Sequence, residues 1–294
     1  MKRINLVNIG KSDVGYEIFS FPDGEKHIKL EPFDRKESYQ IATRIKSGDD
    51  LFLLAQVGDI LKRAGVYFTI KIYYLMSMRM DRVMTYEEAF SLDIVAKIIN
   101  GIGANFVQVF HPHSESTYRL IDKCQAYDEA VIGTGGAYDI ILDKYGNNTA
   151  VCYPDAGAAF RYHRSTDRTN CIILSKKRDI NNKGAITNME IKETRGTLFE
   201  KKDGEPVFLG ENILIMDDLC DGGRTFIEAA KLLRAKFNPK RLGIFVRHLV
   251  NPYGRLNLIE HFDDVYVTNS YDEWNTNNIT TSDCKNFHVI NIIN

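Results

Sequence analysis

The chain has 294 residues, is 44% hydrophobic and 26% charged, and carries a formal net charge of -1. That composition is globular, and the balanced charge gives no overall basic field for nucleic acid. No run approaches the roughly 18 apolar residues of a membrane span, and the start, MKRINLVNIGKSD, lacks the apolar core of a signal peptide. The five cysteines (Cys124, Cys152, Cys171, Cys220, Cys284) are dispersed with no C-x-x-C. They are expected to be reduced, buried thiols of a cytoplasmic protein, and no zinc site is expected.

In chain order, 49–64 has helical periodicity, with Leu53, Leu54, Val57, Ile60 and Leu61 on one face. A strand follows at 68–74. An amphipathic helix is predicted over 87–100, punctuated by Gly101 and Gly103, and then a strand over 106–110 running into His111-Pro112-His113. A boundary is expected within 135–148, where two glycine-containing turns bracket a short helix. The pattern then recurs. Strands at 150–153, 171–174 and 213–216 end at Pro154-Asp155, at Ser175-Lys176-Lys177-Arg178 and at Asp217-Asp218. A helix over 226–235 and a strand over 242–246 follow. Residues 194–210, rich in Gly, Lys and Glu, are expected to form an exposed loop or hairpin. Such alternation predicts parallel sheets covered by helices, an α/β fold. Ligands of that architecture sit beyond the carboxyl ends of strands, where these polar clusters fall.

The most specific segment is ILIMDDLCDGGRT, 213–225. An apolar strand delivers two carboxylates, then a glycine turn, then a helix start. Backbone amides of such a turn, with the helix dipole, bind phosphate. Asp217 and Asp218 are suited to accept hydrogen bonds from ribose hydroxyls or to help hold Mg²⁺. The blander reading is an acidic cap on an ordinary αβ turn, which leaves D-G-G-x-T unexplained.

This segment resembles the ribose-phosphate signature of type I phosphoribosyltransferases and of ribose-phosphate pyrophosphokinases (PRPP synthetases). Other segments resemble the second group, in order along nearly the whole chain: FPDGE at 21–25, the helix 49–65, YLMSMRMDR at 74–82, Pro112-His113-Ser114, YPDAG at 153–157 through Arg161, LSKKR at 174–178 and VYVTNS at 265–270. The resemblance implies two type I phosphoribosyltransferase-like (Rossmann-like) domains, 1–140 and 141–294, with parallel sheets related by pseudo-twofold symmetry. It implies transfer of the β,γ-diphosphate of ATP to the 1-hydroxyl of ribose 5-phosphate, with Mg²⁺ and release of AMP. In that family the FPDGE-like loop reaches ATP across a subunit interface, so a homo-oligomer, dimer or hexamer, is implied.

Carried over by position, Lys176 and Arg178 are the catalytic basic pair. Phe21, Asp23, Glu25, Arg79 and Asp81 bind ATP. Asp217 and Asp218 hold the ribose hydroxyls, and Asp221, Gly222, Gly223, Arg224 and Thr225 wrap the 5-phosphate. His113 and Asp155 hold Mg²⁺.

Departures from the family pattern carry information too. The start is short, Met80 stands where Gln is expected, and His111 where Asp is expected. The loop D-G-G-R-T has Gly222 for Thr and Arg224 for Gly. With Pro112-His113-Ser114 it resembles a divergent subgroup found in bacteriophage and bacterial NAD-salvage clusters. Some members of that subgroup resemble enzymes that diphosphorylate ADP-ribose, which makes ADP-ribose an alternative acceptor. An extra guanidinium at Arg224 suits a second phosphate. A phosphoribosyltransferase would leave FPDGE, RMDR and KKR unexplained. A catalytically inactive, nucleotide-sensing regulatory protein predicts loss of the basic pair, which is present.

Overall fold

The computed structural model describes residues 1–127, 130–131, 135–166, 170–179, 185–274 and 285–293, and at 9, 130–131, 135, 163–166, 177–179 and 185–187 the backbone alone. The chain divides into two compact units, Met1–Glu129 with Ile293–Asn294, and Ala130–Ile292.

The first unit carries a five-stranded, all-parallel sheet. It is built from β1 (Lys2–Asn5), β4 (Tyr39–Ile45), β5 (Phe68–Leu75), β6 (Phe106–Phe110) and β7 (Cys124–Tyr127), in that spatial order. Between β1 and β4 an antiparallel hairpin, β2 (Tyr16–Ser20) and β3 (Lys26–Leu30), stands apart from the sheet. Helix α1 (Gly48–Ala64) opens on a reciprocal cap. The Asp50 amide donates to Ser47 Oγ, and the Ser47 amide donates to an Asp50 carboxylate oxygen at 2.9 Å. It closes on Gly65, whose φ of 72° is the left-handed conformation glycine adopts without a Cβ penalty. The apolar stripe Leu51, Leu54, Val57 and Leu61 is buried against the sheet.

Helix α2 spans Ser91–Ile102 and ends at Gly103, φ 78°. The expected start at 87 is corrected: residues 85–90 form a turn, with the Glu88 amide donating to the Thr85 carbonyl, and the helix begins after Phe90. Beyond β6 comes the five-residue α3 (Ser116–Leu120).

The second unit opens on a short antiparallel pair, β8 (Ala130–Val131) and β9 (Gly135–Gly136), and helix α4 (Ala137–Tyr145). Its main sheet has seven strands. In chain order they are β10 (Thr149–Tyr153), β11 (Cys171–Asp179), β12 (Ala185–Arg195), β15 (Asn212–Cys220), β16 (Arg241–Leu249), β17 (Asp264–Thr268) and β18 (Phe287–Ile290). Between β12 and β15 lies a separate hairpin, β13 (Phe199–Lys202) and β14 (Glu205–Phe208), the hairpin expected within 194–210. Helices α5 (Ala156–Thr166), α6 (Arg224–Phe237) and α7 (Pro252–His261) follow β10, β15 and β16.

The spatial order is β12-β11-β10-β15-β16-β17-β18, parallel throughout except for β12. From β10 the chain moves outward to β11 and then returns to the other side of β10 as β15. The direction of winding therefore reverses between β10 and β15. Successive strand residues feed opposite faces: Val151, Tyr153, Leu214 and Met216 pack with α5, whereas Cys152, Ile213 and Ile215 pack with α6. The two crossover helices thus leave on opposite faces, the arrangement in which α/β sheets take ligands beyond the carboxyl ends of strands such as β10 and β15.

Two strand ends differ from expectation. β15 runs through Asp217 and Asp218 to Cys220, because β16 continues to pair with it as far as Leu249. β11 runs through Lys176 to Asp179, because β12 folds back antiparallel along it.

Candidate active site

β10 ends at Tyr153, and its last pairing with β15 is Cys152 with Ile215. Beyond that point the β10 side of β15 is open. Asp217 and Asp218 lie on this stretch, 8% and 2% exposed. Opposite them starts α5. Asp155 caps its first turn, its Oδ1 accepting from the Ala158 amide at 2.9 Å. Two cations of the chain close on these acids. Lys176 Nζ donates to Asp155 Oδ2 at 2.7 Å. Arg161 Nη2 donates to Oδ1 of Asp217 at 3.1 Å and to Oδ1 of Asp218 at 2.9 Å.

The electrostatics follow from burial and neighbours. Burial, then the adjacent Asp218 carboxylate, push Asp217 well above the usual carboxylate range, with Arg161 working against them. Asp155 goes the other way. Burial alone would raise it, but the hydrogen bonds from Lys176 and the Ala158 amide, with the charges of Lys176 and Arg161, hold it below the ordinary value. A depressed carboxylate contributes stability that is complete above the unfolded value, about pH 3.9, and is lost as pH falls through the folded one. Asp155→Asn is therefore expected to flatten the acid limb of stability below about pH 4, read as urea midpoints between neutral and acid pH. An acid limb as steep as that of the unsubstituted chain would refute this assignment.

The phosphate-type loop follows β15. Gly223, φ 80°, turns the chain into α6, whose first amides lack intrahelical partners and point positive potential at the loop. The loop is clamped from α7. Asn251 Nδ2 donates to Asp221 Oδ1 at 2.9 Å, and Asn257 Nδ2 donates to the Gly222 carbonyl at 2.7 Å. A Cβ on Gly254 would lie 1.8 Å from the Asp221 carbonyl oxygen, so the α7 backbone can seat here only as glycine. A Cβ on Gly222 would meet nothing within 4 Å, and Arg224 is exposed as the first residue of α6.

The second unit thus gathers Asp155, Lys176, Asp217 and Asp218 with the loop 221–225 at the ends of β10, β11 and β15. Arg178 lies on β11 next to a register shift, and its side chain is outside the described residues. The first unit carries the others. Phe21, Asp23 and Glu25 form the tip of the β2–β3 hairpin. There the Phe21 amide donates to the Glu25 carbonyl at 2.9 Å, and Asp23 Oδ1 accepts from the Glu25 amide at 3.1 Å. Phe21 is 46% exposed and packs with Phe19 and His27. Gln56 of α1 fixes the hairpin, accepting from the Ile28 amide and donating to the Lys26 carbonyl, both at 2.9 Å.

Arg79 and Asp81 sit on the turn after β5, where Ser77 adopts φ 63°. His113 is partly buried three residues beyond β6, just after His111 at φ 41°. Such a φ is uncommon for a residue other than glycine and re-aims the segment.

Sequence reasoning gave no role to Asn251, Gly254, Asn257 or Gln56. The Asn-Pro start of α7 is a helix-start signal, but its contact with a loop 30 residues earlier is not local.

No family model matches the chain. The chain is 26% identical over 267 residues to the ribose-phosphate pyrophosphokinase of Thermococcus kodakarensis, covering 90% of this chain and 89% of that one. It is 25% identical over 268 residues to that of Pyrococcus abyssi (90% and 85%) and 27% over 270 residues to that of Mycoplasma genitalium (86% and 74%). In fold it is similar to the phosphoribosylpyrophosphate synthetase of Mycobacterium smegmatis, with a TM-score of 0.70 at 18% identity, over 97% of this chain and 88% of that one.

Proposed function

We propose that this chain, a member of the ribose-phosphate pyrophosphokinase family, transfers the β,γ-diphosphate of ATP to the 1-hydroxyl of a ribose 5-phosphate moiety and releases AMP. The observation that carries the reading is the set of side chains at the β10–β15 reversal. One unit brings together a carboxylate pair suited to a sugar diol, a glycine loop at a helix start suited to its phosphate, and Lys176.

Phosphoryl transfer is catalysed mainly by positioning and by cations on the developing charge. Asp217 and Asp218 orient the sugar through its hydroxyls, and the loop 221–225 anchors its 5-phosphate. Lys176, with Arg178, meets the transferring diphosphate. Phe21, Asp23, Glu25, Arg79 and Asp81 hold ATP. The exposed hairpin tip suits a homo-oligomer, dimer or hexamer, in which it serves a neighbouring subunit. No described helix is long and apolar enough to cross a membrane.

Mg²⁺ fits the residues present. Asp155 is held ionised. That suits a hard cation bound largely through water and phosphate oxygens. Asp155 would hold it, His113 being assigned to it by the family resemblance alone; when bound, it would neutralise charge on the diphosphate. Lys176 must then exchange its contact with Asp155 for one with the phosphates.

The test is incubation with MgATP and either ribose 5-phosphate or ADP-ribose, with AMP release and product mass as readouts. Absence of AMP from both would leave a nucleotide-sensing regulatory protein in place of an enzyme. A second reading takes ADP-ribose as acceptor, for NAD regeneration. It is supported by the open space at Gly222 and the exposed Arg224 beside it. On that reading Arg224→Gly raises the KM for ADP-ribose about tenfold and leaves that for ribose 5-phosphate nearly unchanged. An equal effect on both acceptors would remove Arg224 from any role in selectivity.

A further inference from the structure

Arg161 reaches the carboxylate pair by a route its own helix prepares. Long side chains on a helix lean toward the N-terminus, over the residue four positions earlier. For Arg161 that residue is Gly157. A Cβ there would stand 3.1 Å from Asp155 Oδ1, tighter than ordinary contact, and 3.4 Å from Arg161 Nη1, at the edge of it. With glycine, the guanidinium crosses the first turn of α5 and arrives beside β15, 56 and 57 residues away in the chain.

A single nitrogen, Nη2, serves both acids, and both accept through Oδ1. The Asp218 amide also donates to Asp217 Oδ1, at 2.9 Å. These three contacts fix the two carboxylates relative to each other. Around them stand Tyr162, next on α5, and Arg247 of β16, 1% exposed, with its guanidinium 4.6 Å from the Tyr162 ring centroid. Lys176 is engaged by Asp155. Arg161 is in direct contact with both members of the pair.

We propose that Arg161 is a positioning residue: its guanidinium holds Asp217 and Asp218 at the spacing and orientation that receive the two neighbouring hydroxyls of the acceptor sugar. This rests on the acceptor reading above and adds a residue to it. A vicinal diol offers two donors at a fixed separation, so its binding is sensitive to the angle between the two acceptors. Without the guanidinium, nothing opposes the burial and mutual repulsion that already push Asp217 above the usual carboxylate range, and the angle between the two acceptors is no longer fixed.

The test compares the unsubstituted chain with Arg161→Met, Arg161→Lys and the double variant Arg161→Met/Asp217→Asn, which removes the unpaired charge and so protects folding. Acceptor KM, ATP KM and kcat are measured, with calorimetric acceptor binding and thermal midpoints alongside. Arg161→Met is expected to raise acceptor KM and Kd about 30-fold with ATP KM within about threefold, and Arg161→Lys to recover part of the loss. The double variant should melt like the unsubstituted chain and serves as the folding control alone, since Asp217 itself receives the acceptor. An acceptor KM within threefold of the original in folded Arg161→Met would overturn the proposal. So would a rise in ATP KM equal to that in acceptor KM. If the unsubstituted chain releases no AMP with any sugar phosphate, the functional reading fails and not merely this residue's part in it.

Discussion

Replacing Lys176 by alanine is expected to lower kcat by about 10²–10³-fold, the effect of removing one preorganised donor from developing phosphoryl charge. The same change should cost little stability. Lys176 and Asp155 are 20% and 31% exposed on their side chains, so solvent screens their pair and its loss is worth within about 1 kcal/mol. Asp155 keeps the Ala158 amide and the nearby charge of Arg161. A large fall in turnover with an unchanged melt is thus the signature of a group acting on the reaction. Divalent-cation binding, followed with Mn²⁺ by electron paramagnetic resonance, separates this from loss of metal. With its competitor gone, Asp155 should bind Mn²⁺ at least as tightly as before. Retained turnover in Lys176→Ala would remove β11 from the catalytic machinery. Weakened Mn²⁺ binding would instead make Lys176 part of the metal site's support.

The fold class was legible because apolar strand runs alternate with helix-period segments, a pattern dominated by local burial. Strand ends were less so. Two aspartates in succession ordinarily signal the end of a strand, yet β15 carries Asp217 and Asp218 inside its ladder because β16 supplies hydrogen bonds beyond them. Likewise the polar run Ser175-Lys176-Lys177-Arg178 stays in the ladder, with a register shift between Lys177 and Arg178, because β12 returns along it. The start of α2 was misplaced for a related reason: Glu87 and Glu88 have the chemistry of a first helical turn, but they lie on a separate turn ahead of Phe90. The site's acids and its loop were readable as motifs. What motifs do not contain is the pairing between them. Arg161 with Asp218 spans 57 residues, Lys176 with Asp155 spans 21, and Asn257 with Gly222 spans 35. The first depends on the winding reversal at β10 and β15, the other two on β11 lying beside β10 and β16 beside β15, and strand order leaves no mark in any one segment.

The clamp on the phosphate loop gives the second large effect. The α7 backbone at Gly254 lies against the Asp221 carbonyl, and an alanine there would place Cβ 1.8 Å from that oxygen. The obstacle is backbone and not the end of a flexible side chain, so α7 or the loop must move. Either shift strains the hydrogen bonds of Asn251 to Asp221 and of Asn257 to the Gly222 carbonyl, which hold the loop from the same helix. Gly254→Ala is therefore expected to cost about 1–3 kcal/mol of stability and to raise acceptor KM about 100-fold, since several loop amides lose their aim at one phosphate together. ATP KM should change far less, because the residues assigned to ATP belong to the first unit. Asn257→Ala removes one clamp without the steric clash, and should show the same split in smaller measure, about tenfold in acceptor KM. Protection of the 221–225 amides from hydrogen exchange reports the loop directly, and should fall in both variants. Unchanged protection and unchanged acceptor KM in Gly254→Ala would mean that α7 yields without disturbing the loop, and the clamp would then have no part in phosphate binding.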